Sequence, residues 1–177
     1  MSISETKKIV EEKSQTLFKV WKSQISNPEF IGLLSPFYSQ YEFFKEIFPQ
    51  SRITVLNINS WNLNEFKNFK FDIIFASAVF MYSNDPKSWF DNVFKSCKYF
   101  WIQDLINRSR SKLGILGKDG DKMRYYKSPD IISNFNDAYD LSIYNEKLLS
   151  FESFSVGPAI HFLANFKGNL DKTSNPN

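Results

Sequence analysis

The stretch that decides the fold is Phe71-Asp72-Ile73-Ile74-Phe75-Ala76-Ser77-Ala78-Val79-Phe80-Met81-Tyr82, followed at once by Ser83 and Asn84-Asp85-Pro86. Its first half is nearly all apolar and does not alternate, which is how a strand buried on both faces reads. Asp85-Pro86 then offers a capping oxygen followed by a residue whose missing N–H costs nothing in a first helical turn. The whole reads as a buried strand, a loop and the start of a helix.

The same pattern recurs outward in both directions. Phe30 to Leu34, Ile53 to Ile58 and Tyr99 to Ile102 are further continuous apolar runs, and Ser35-Pro36 and Ser128-Pro129 are further cap-and-proline helix starts. A first helix is expected from Ile3 to Ile25. Ser2 and Glu5 stand at capping-box spacing, Val10, Leu17, Trp21 and Ile25 share a face, and Asn27-Pro28 stops the run. Near the end, Leu141 to Tyr144 and Ile160 to Phe166 succeed one another without a strong helix between them, as an antiparallel pair at a sheet edge would. Strands alternating with helices imply a parallel sheet covered on both faces. The expected fold is a three-layer α/β/α sandwich, Rossmann-like, with a mostly parallel sheet and an antiparallel C-terminal edge hairpin. It forms one domain over residues 1–170, including a helical N-terminal segment 1–27, and leaves a polar tail at 171–177.

Composition narrows the function classes. The 177 residues suffice for one core without disulfides. Cys97 is the single cysteine, so no internal disulfide can form; at helical spacing behind Phe90, Val93 and Phe94 it reads as a small buried hydrophobe. His161 is the single histidine and lies in the apolar run Ala159 to Leu163, so neither a zinc site nor a histidine-activated nucleophile is supported and no metal is expected. Lys7, Lys8, Glu11, Glu12 and Lys13 interrupt the first helix, which excludes a signal sequence, and no run reaches the 18 or more apolar residues of a membrane span. A cytoplasmic protein without a membrane partner is expected.

The run from Phe71 to Pro86 resembles the fourth strand of class I S-adenosylmethionine-dependent methyltransferases and the loop after it, where a Phe-Asp pair opens the strand and Asp-Pro starts the next helix. Ile53 to Glu65, with Asn59 four positions before Leu63, is similar to that family's third strand and Asp-x-x-x-Leu loop, with Asn59 in place of the acid. Trp89 to Cys97 and Tyr99 to Asp104 resemble the helix before strand five and strand five itself, and Ser128 to Ile132 the helix before the closing hairpin. Two features of the family are missing. Gly32 is the only glycine before Gly114, so the turn Leu34 to Ser39 carries no glycine-rich loop, and no acid can be assigned to the end of strand two. Strand two and its helix are themselves expected to be absent, because only Ser39 to Ser51 separates that turn from the next strand.

The resemblance implies S-adenosylmethionine as cofactor, held by Ser35, Phe37, Tyr38, Asn59, Ser60, Trp61 and Ser77. Asp104, ending an apolar strand, is the candidate general base or orienting carboxylate, with Tyr82 flanking the acceptor. Seven bases and two acids give Arg108 to Lys127 a net +5 in a chain of net +3, and the stretch also holds three of the six glycines. Arg108, Arg110, Lys118, Lys122, Arg124 and Tyr125 are therefore candidates for gripping a small anionic or sugar-like substrate. The modest overall charge argues against nucleic acid. Trp21, Phe43 and Trp61 are the aromatic candidates for a homo-oligomer contact. The alternative is a non-catalytic relative that has lost the cofactor and serves as a partner- or anion-binding module.

Overall fold

The computed structural model describes residues 2–34, 36–56, 69–77, 86–106, 146–156 and 159–170. Its elements are helix α1 (Ile3–Lys22), strand β1 (Phe30–Leu34), helix α2 (Tyr38–Ile47), strands β2 (Arg52–Leu56) and β3 (Phe71–Ser77), helix α3 (Pro86–Ser96), and strands β4 (Cys97–Ile106), β5 (Leu148–Val156) and β6 (Ala159–Lys167). The six strands form one sheet in the order β2-β1-β3-β4-β6-β5. The first four are mutually parallel, and β6 runs antiparallel between β4 and β5.

Two differences from the sequence reading matter for the site. Arg52–Leu56 pairs directly with β1, from Phe30 opposite Arg52 to Leu34 opposite Leu56. It therefore stands in the place of strand two, which was expected to be absent, and not of strand three, and α2 is the helix that Ser35-Pro36 announced. A short crossover through α2 brings the chain back beside β1, parallel to it. The hairpin's first strand is Leu148–Val156, while Leu141 to Tyr144 lies outside the described residues.

The cores follow from strand alternation. Ile31, Leu33, Ile73, Phe75, Trp101 and Leu163 face α1 and α2, and meet Phe18, Trp21, Phe43, Phe44 and Ile47. Leu34, Ile74, Ala76, Phe100, Ile102, Ala164 and Phe166 face the other way and pack against Trp89, Phe90, Val93 and Phe94 of α3. Many of the chain's 19 phenylalanines serve these two layers. Phe18 stacks on Trp101 at 5.5 Å between ring centroids, and Phe100 on Phe166 at 5.9 Å. Trp21 and Phe43, offered above for an oligomer contact, are 1% and 5% exposed and belong to this core; Trp61 lies outside the described residues.

Helix ends differ in detail from expectation. The Ser2–Glu5 capping box is present, with the Glu5 N–H donating to Ser2 Oγ at 3.2 Å and the Ser2 N–H to Glu5 Oε2 at 2.7 Å. The Ser2 backbone N–H foremost, and the Ser2 hydroxyl after it, hold the Glu5 carboxyl below its ordinary value. The helix ends at Lys22, capped by Ser23, ahead of the expected Ile25. Pro36 does not open α2, whose N-cap is Phe37 and whose first residue is Tyr38.

Candidate functional site

The order of strands reverses between β1 and β3, and in open parallel sheets ligands collect outside the carboxyl ends of the strands at such a point. Here that edge is formed by Leu34, Leu56, Ser77 and the end of β4, with the start of α2 beside it. Phe37 and Tyr38 both turn outward, 43% and 79% exposed. The N-terminal half of α1 reaches the same place: Lys7 Nζ lies 4.8 Å from the centre of the Phe37 ring, and Ser39 Oγ donates to Glu11 Oε1 at 2.7 Å.

Beneath these exposed rings is a buried polar knot. Gln40 is 3% exposed, and its Oε1 accepts from the Phe37 backbone N–H at 2.8 Å. Its Nε2 donates to Gln103 Oε1 on β4 at 3.0 Å and to Ser77 Oγ on β3 at 3.3 Å. Three elements are thereby joined at their functional ends by one carboxamide. Ser77 was among the residues expected here. Gln40 was not, although a signal existed: it falls at helical spacing with Phe43, Phe44 and Ile47, a polar residue on the apolar stripe.

Asp104 is 2% exposed. Because Gln103 joins α2, alternation turns Asp104 to the opposite face of the sheet, the face of Phe100, Ile102 and α3. The structure thus brings Ser77 and Gln103 together and separates Asp104 from them across the sheet. Ser35, Asn59, Ser60, Trp61, Tyr82, Arg108, Arg110, Lys118, Lys122, Arg124 and Tyr125 lie outside the described residues.

The one early glycine serves packing. A Cβ on Gly32 would meet the Phe71 ring at 3.1 Å, so the missing side chain makes room for that aromatic and not for a ligand.

Other titratable groups stand apart from this edge. At the opposite end of the strands, Asp72 Oδ2 accepts from the N–H groups of Glu29 and Phe30 at 2.7 and 3.0 Å, and Oδ1 meets Lys98 Nζ at 2.5 Å. Burial alone would raise the Asp72 carboxyl, but Lys98 and the two amides outweigh it and hold it below the ordinary range. Burial pushes the Cys97 thiol far up, as an inert core cysteine requires. His161 stacks on Phe154 at 5.5 Å, and burial holds its imidazole below the ordinary value. Among the described residues, no three His, Cys, Asp or Glu side chains are grouped to hold a metal ion, and no helix is long and apolar enough to cross a membrane.

No family profile and no curated protein matches this sequence. Solved structures do match. The plantazolicin methyltransferase BpumL in complex with SAH superposes with a TM-score of 0.51 at 11% identity, over 81% of this chain and 77% of that one. The N-terminal domain of EvdMO1, solved with SAH and D-fucose, gives 0.50 at 8% identity over 88% and 82%. An O-methyltransferase family protein from Burkholderia thailandensis gives 0.50 at 9% identity over 81% of this chain, which spans about half (52%) of that protein. At such identities the likeness concerns architecture: this chain has the α/β fold of the S-adenosylmethionine-dependent methyltransferases, with its antiparallel hairpin at the C-terminal edge.

Proposed function

We propose that the protein binds S-adenosylmethionine at the carboxyl edge of β1, β2 and β3 and passes its methyl group to a small anionic or sugar-like acceptor. The observation that carries this reading is the convergence of exposed aromatic rings and a hydrogen-bonding floor at the switch point of a methyltransferase-fold sheet. The residues suit the group. Phe37 and Tyr38 offer faces for a purine or ribose, and Ser77 and Gln103 offer polar contacts below them. With Arg52–Leu56 in second place, the next residue in sequence is Asn57, where the resemblance expects a ribose-binding acid. A carboxamide there can still hydrogen-bond a hydroxyl.

When bound, S-adenosylmethionine supplies an electrophilic methyl group, whose direct displacement needs alignment more than acid–base strength. In this reading Ser35, Phe37, Tyr38, Asn59, Ser60, Trp61 and Ser77 hold the cofactor. Arg108, Arg110, Lys118, Lys122, Arg124 and Tyr125 grip the acceptor, while Asp104 and Tyr82 orient it. Calorimetric titration with S-adenosylhomocysteine tests the cofactor. Low-micromolar binding is expected; no heat and no thermal shift at millimolar ligand would refute the proposal.

One observation favours a second reading, a non-catalytic partner- or anion-binding module. The turn before α2 lacks glycine, and Gly32 is spent under Phe71. Under that reading, Asp104→Asn is silent and reversing the charges of Arg108 and Arg110 abolishes partner binding.

A further inference from the structure

Four buried side-chain atoms have no hydrogen-bond partner among the described residues, and three of them belong to one row across the sheet: Trp101 Nε1, Asn165 Oδ1 and Ser150 Oγ. The fourth, His161 Nε2, belongs to a residue about 13 Å further along β6 at the usual strand rise and takes no part. Asn165 stands opposite Trp101 of β4 on one side and opposite Ser150 of β5 on the other. The three side chains therefore leave the sheet on the same face, the one that Trp101 turns to α1 and α2. Directly opposed residues of antiparallel strands have Cβ atoms about 4.5–5.5 Å apart, a gap that one small bridging molecule spans.

An irregularity of the backbone assembles this row. Leu148 pairs with Phe166, so regular pairing would set Leu149 against Asn165. A bulge intervenes: Leu149 is turned aside, 47% exposed, and Ser150 takes the place opposite Asn165. Bulges re-aim side chains in this way, and here the result is a hydroxyl in place of a leucine beside two other polar groups. Next to the row, Gln24 Oε1 accepts from Asn165 Nδ2 at 2.9 Å, which leaves Oδ1 as the carboxamide atom still to be satisfied.

Polar atoms without partners are costly where bulk solvent does not reach them, and Trp101 and Asn165 are both 0% exposed. The atoms also select what can pair with them. An indole N–H only donates and disfavours a bare cation, a carboxamide oxygen only accepts and disfavours an anion, and a hydroxyl does either. A small neutral molecule that accepts one hydrogen bond and donates two satisfies all three.

We infer that this row binds one internal water molecule, which accepts from Trp101 Nε1 and donates to Asn165 Oδ1 and Ser150 Oγ. Three bonds are the usual complement of a buried water. It joins β4, β6 and β5 on the face of α1, and it is independent of the ligand proposed above.

Nuclear Overhauser measurements between solvent and protein test this. The Trp101 Hε1 resonance, assigned among the four tryptophan indoles, should show a cross-peak to water with the sign of a molecule that stays longer than the protein takes to tumble. The peak should survive in Ser150→Ala, which removes a hydroxyl proton able to relay the signal by exchange, and vanish in Asn165→Leu. Urea unfolding gives a second readout. A Ser150 hydroxyl bonded to the water makes Ser150→Ala lower the midpoint, whereas a hydroxyl buried without a partner makes the same deletion raise it. The inference is overturned by the lack of a long-lived water peak at Trp101 Hε1 in the wild type, or by a peak that Ser150→Ala abolishes or Asn165→Leu leaves in place. A midpoint unchanged or raised in Ser150→Ala overturns it as well. Should Asn165→Leu fail to fold, the wild type and Ser150→Ala decide alone.

Discussion

Replacing Asp72 by alanine removes a fastening shared by three strands. The carboxylate holds the amides at the start of β1, belongs to β3 and pairs with Lys98 of β4, so its loss strands two N–H groups and one ammonium. Hydrogen bonds to a charged group are each worth about 1.5–3 kcal/mol. Asp72 is 14% exposed and Lys98 27%, and Glu29 and Phe30 lie at the surface, so water recovers much of that sum. A net loss of about 2 kcal/mol is expected, or roughly 4–8 °C in melting temperature for a chain of this size. The pH dependence identifies the cause. A carboxyl held below its ordinary value adds stability above the unfolded value, near 3.9, and that stability is lost as pH falls through the folded value. Urea titrations of wild type and Asp72→Ala should therefore differ fully at pH 7 and draw together as pH falls from about 4 through the lower folded value. A cycle with Lys98→Met should return a coupling of about 1 kcal/mol. A loss under about 0.5 kcal/mol at pH 7, or one equally large at pH 3, would refute the reasoning.

Gly168→Ala should cost more than its size suggests. The new Cβ would lie 1.9 Å from the Cys97 carbonyl oxygen, a backbone atom that cannot swing aside, so a loss of about 3 kcal/mol in melts is expected. Gly32→Ala, facing only the Phe71 ring, should cost less than half of that. His161, as the sole histidine, gives a single imidazole signal by NMR. Its value is depressed by burial, so stability should be complete above the unfolded value, near 6.5, and fall as pH drops toward the folded one. His161→Phe should flatten that part of the stability profile.

What was legible in the sequence was what local patterning controls. The runs Phe71 to Ala76 and Tyr99 to Ile102 declared their strands because strands buried on both faces must be apolar throughout, and α1 its start because a capping box is a short-range device; Cys97, which helical spacing assigned to the preceding helix, instead opens β4. Sheet order was not local. Ile53, Val55 and Leu56 look like a buried strand, yet Val55 is 54% exposed, and only the crossover through α2 decides that the strand lies next to β1. The site followed the same division. Ser77 could be found from its place after an apolar run, whereas the partners of Gln40 stand 37 and 63 residues away. The separation of Gln103 from Asp104 turned on which face α2 covers, which no stretch of sequence states.

The position of β6 bears on how the molecule is made. Among the described strands, the last in sequence is not at an edge of the sheet but between β4 and β5, where it supplies a hydrogen-bonded neighbour to both. During synthesis, β1 to β4 can assemble as they emerge, but the partner that β4 and β5 share among the described strands is complete only when Lys167 has left the ribosome. Gly168 to Leu170 then fasten over Phe94, Cys97 and Lys98 through their backbone amides and lock the late arrival in place. A chain cut before Ala159 would therefore lose more than two trailing segments: it would expose the flank of its central sheet, with Trp101 and Phe100 beside it, as a surface for aggregation.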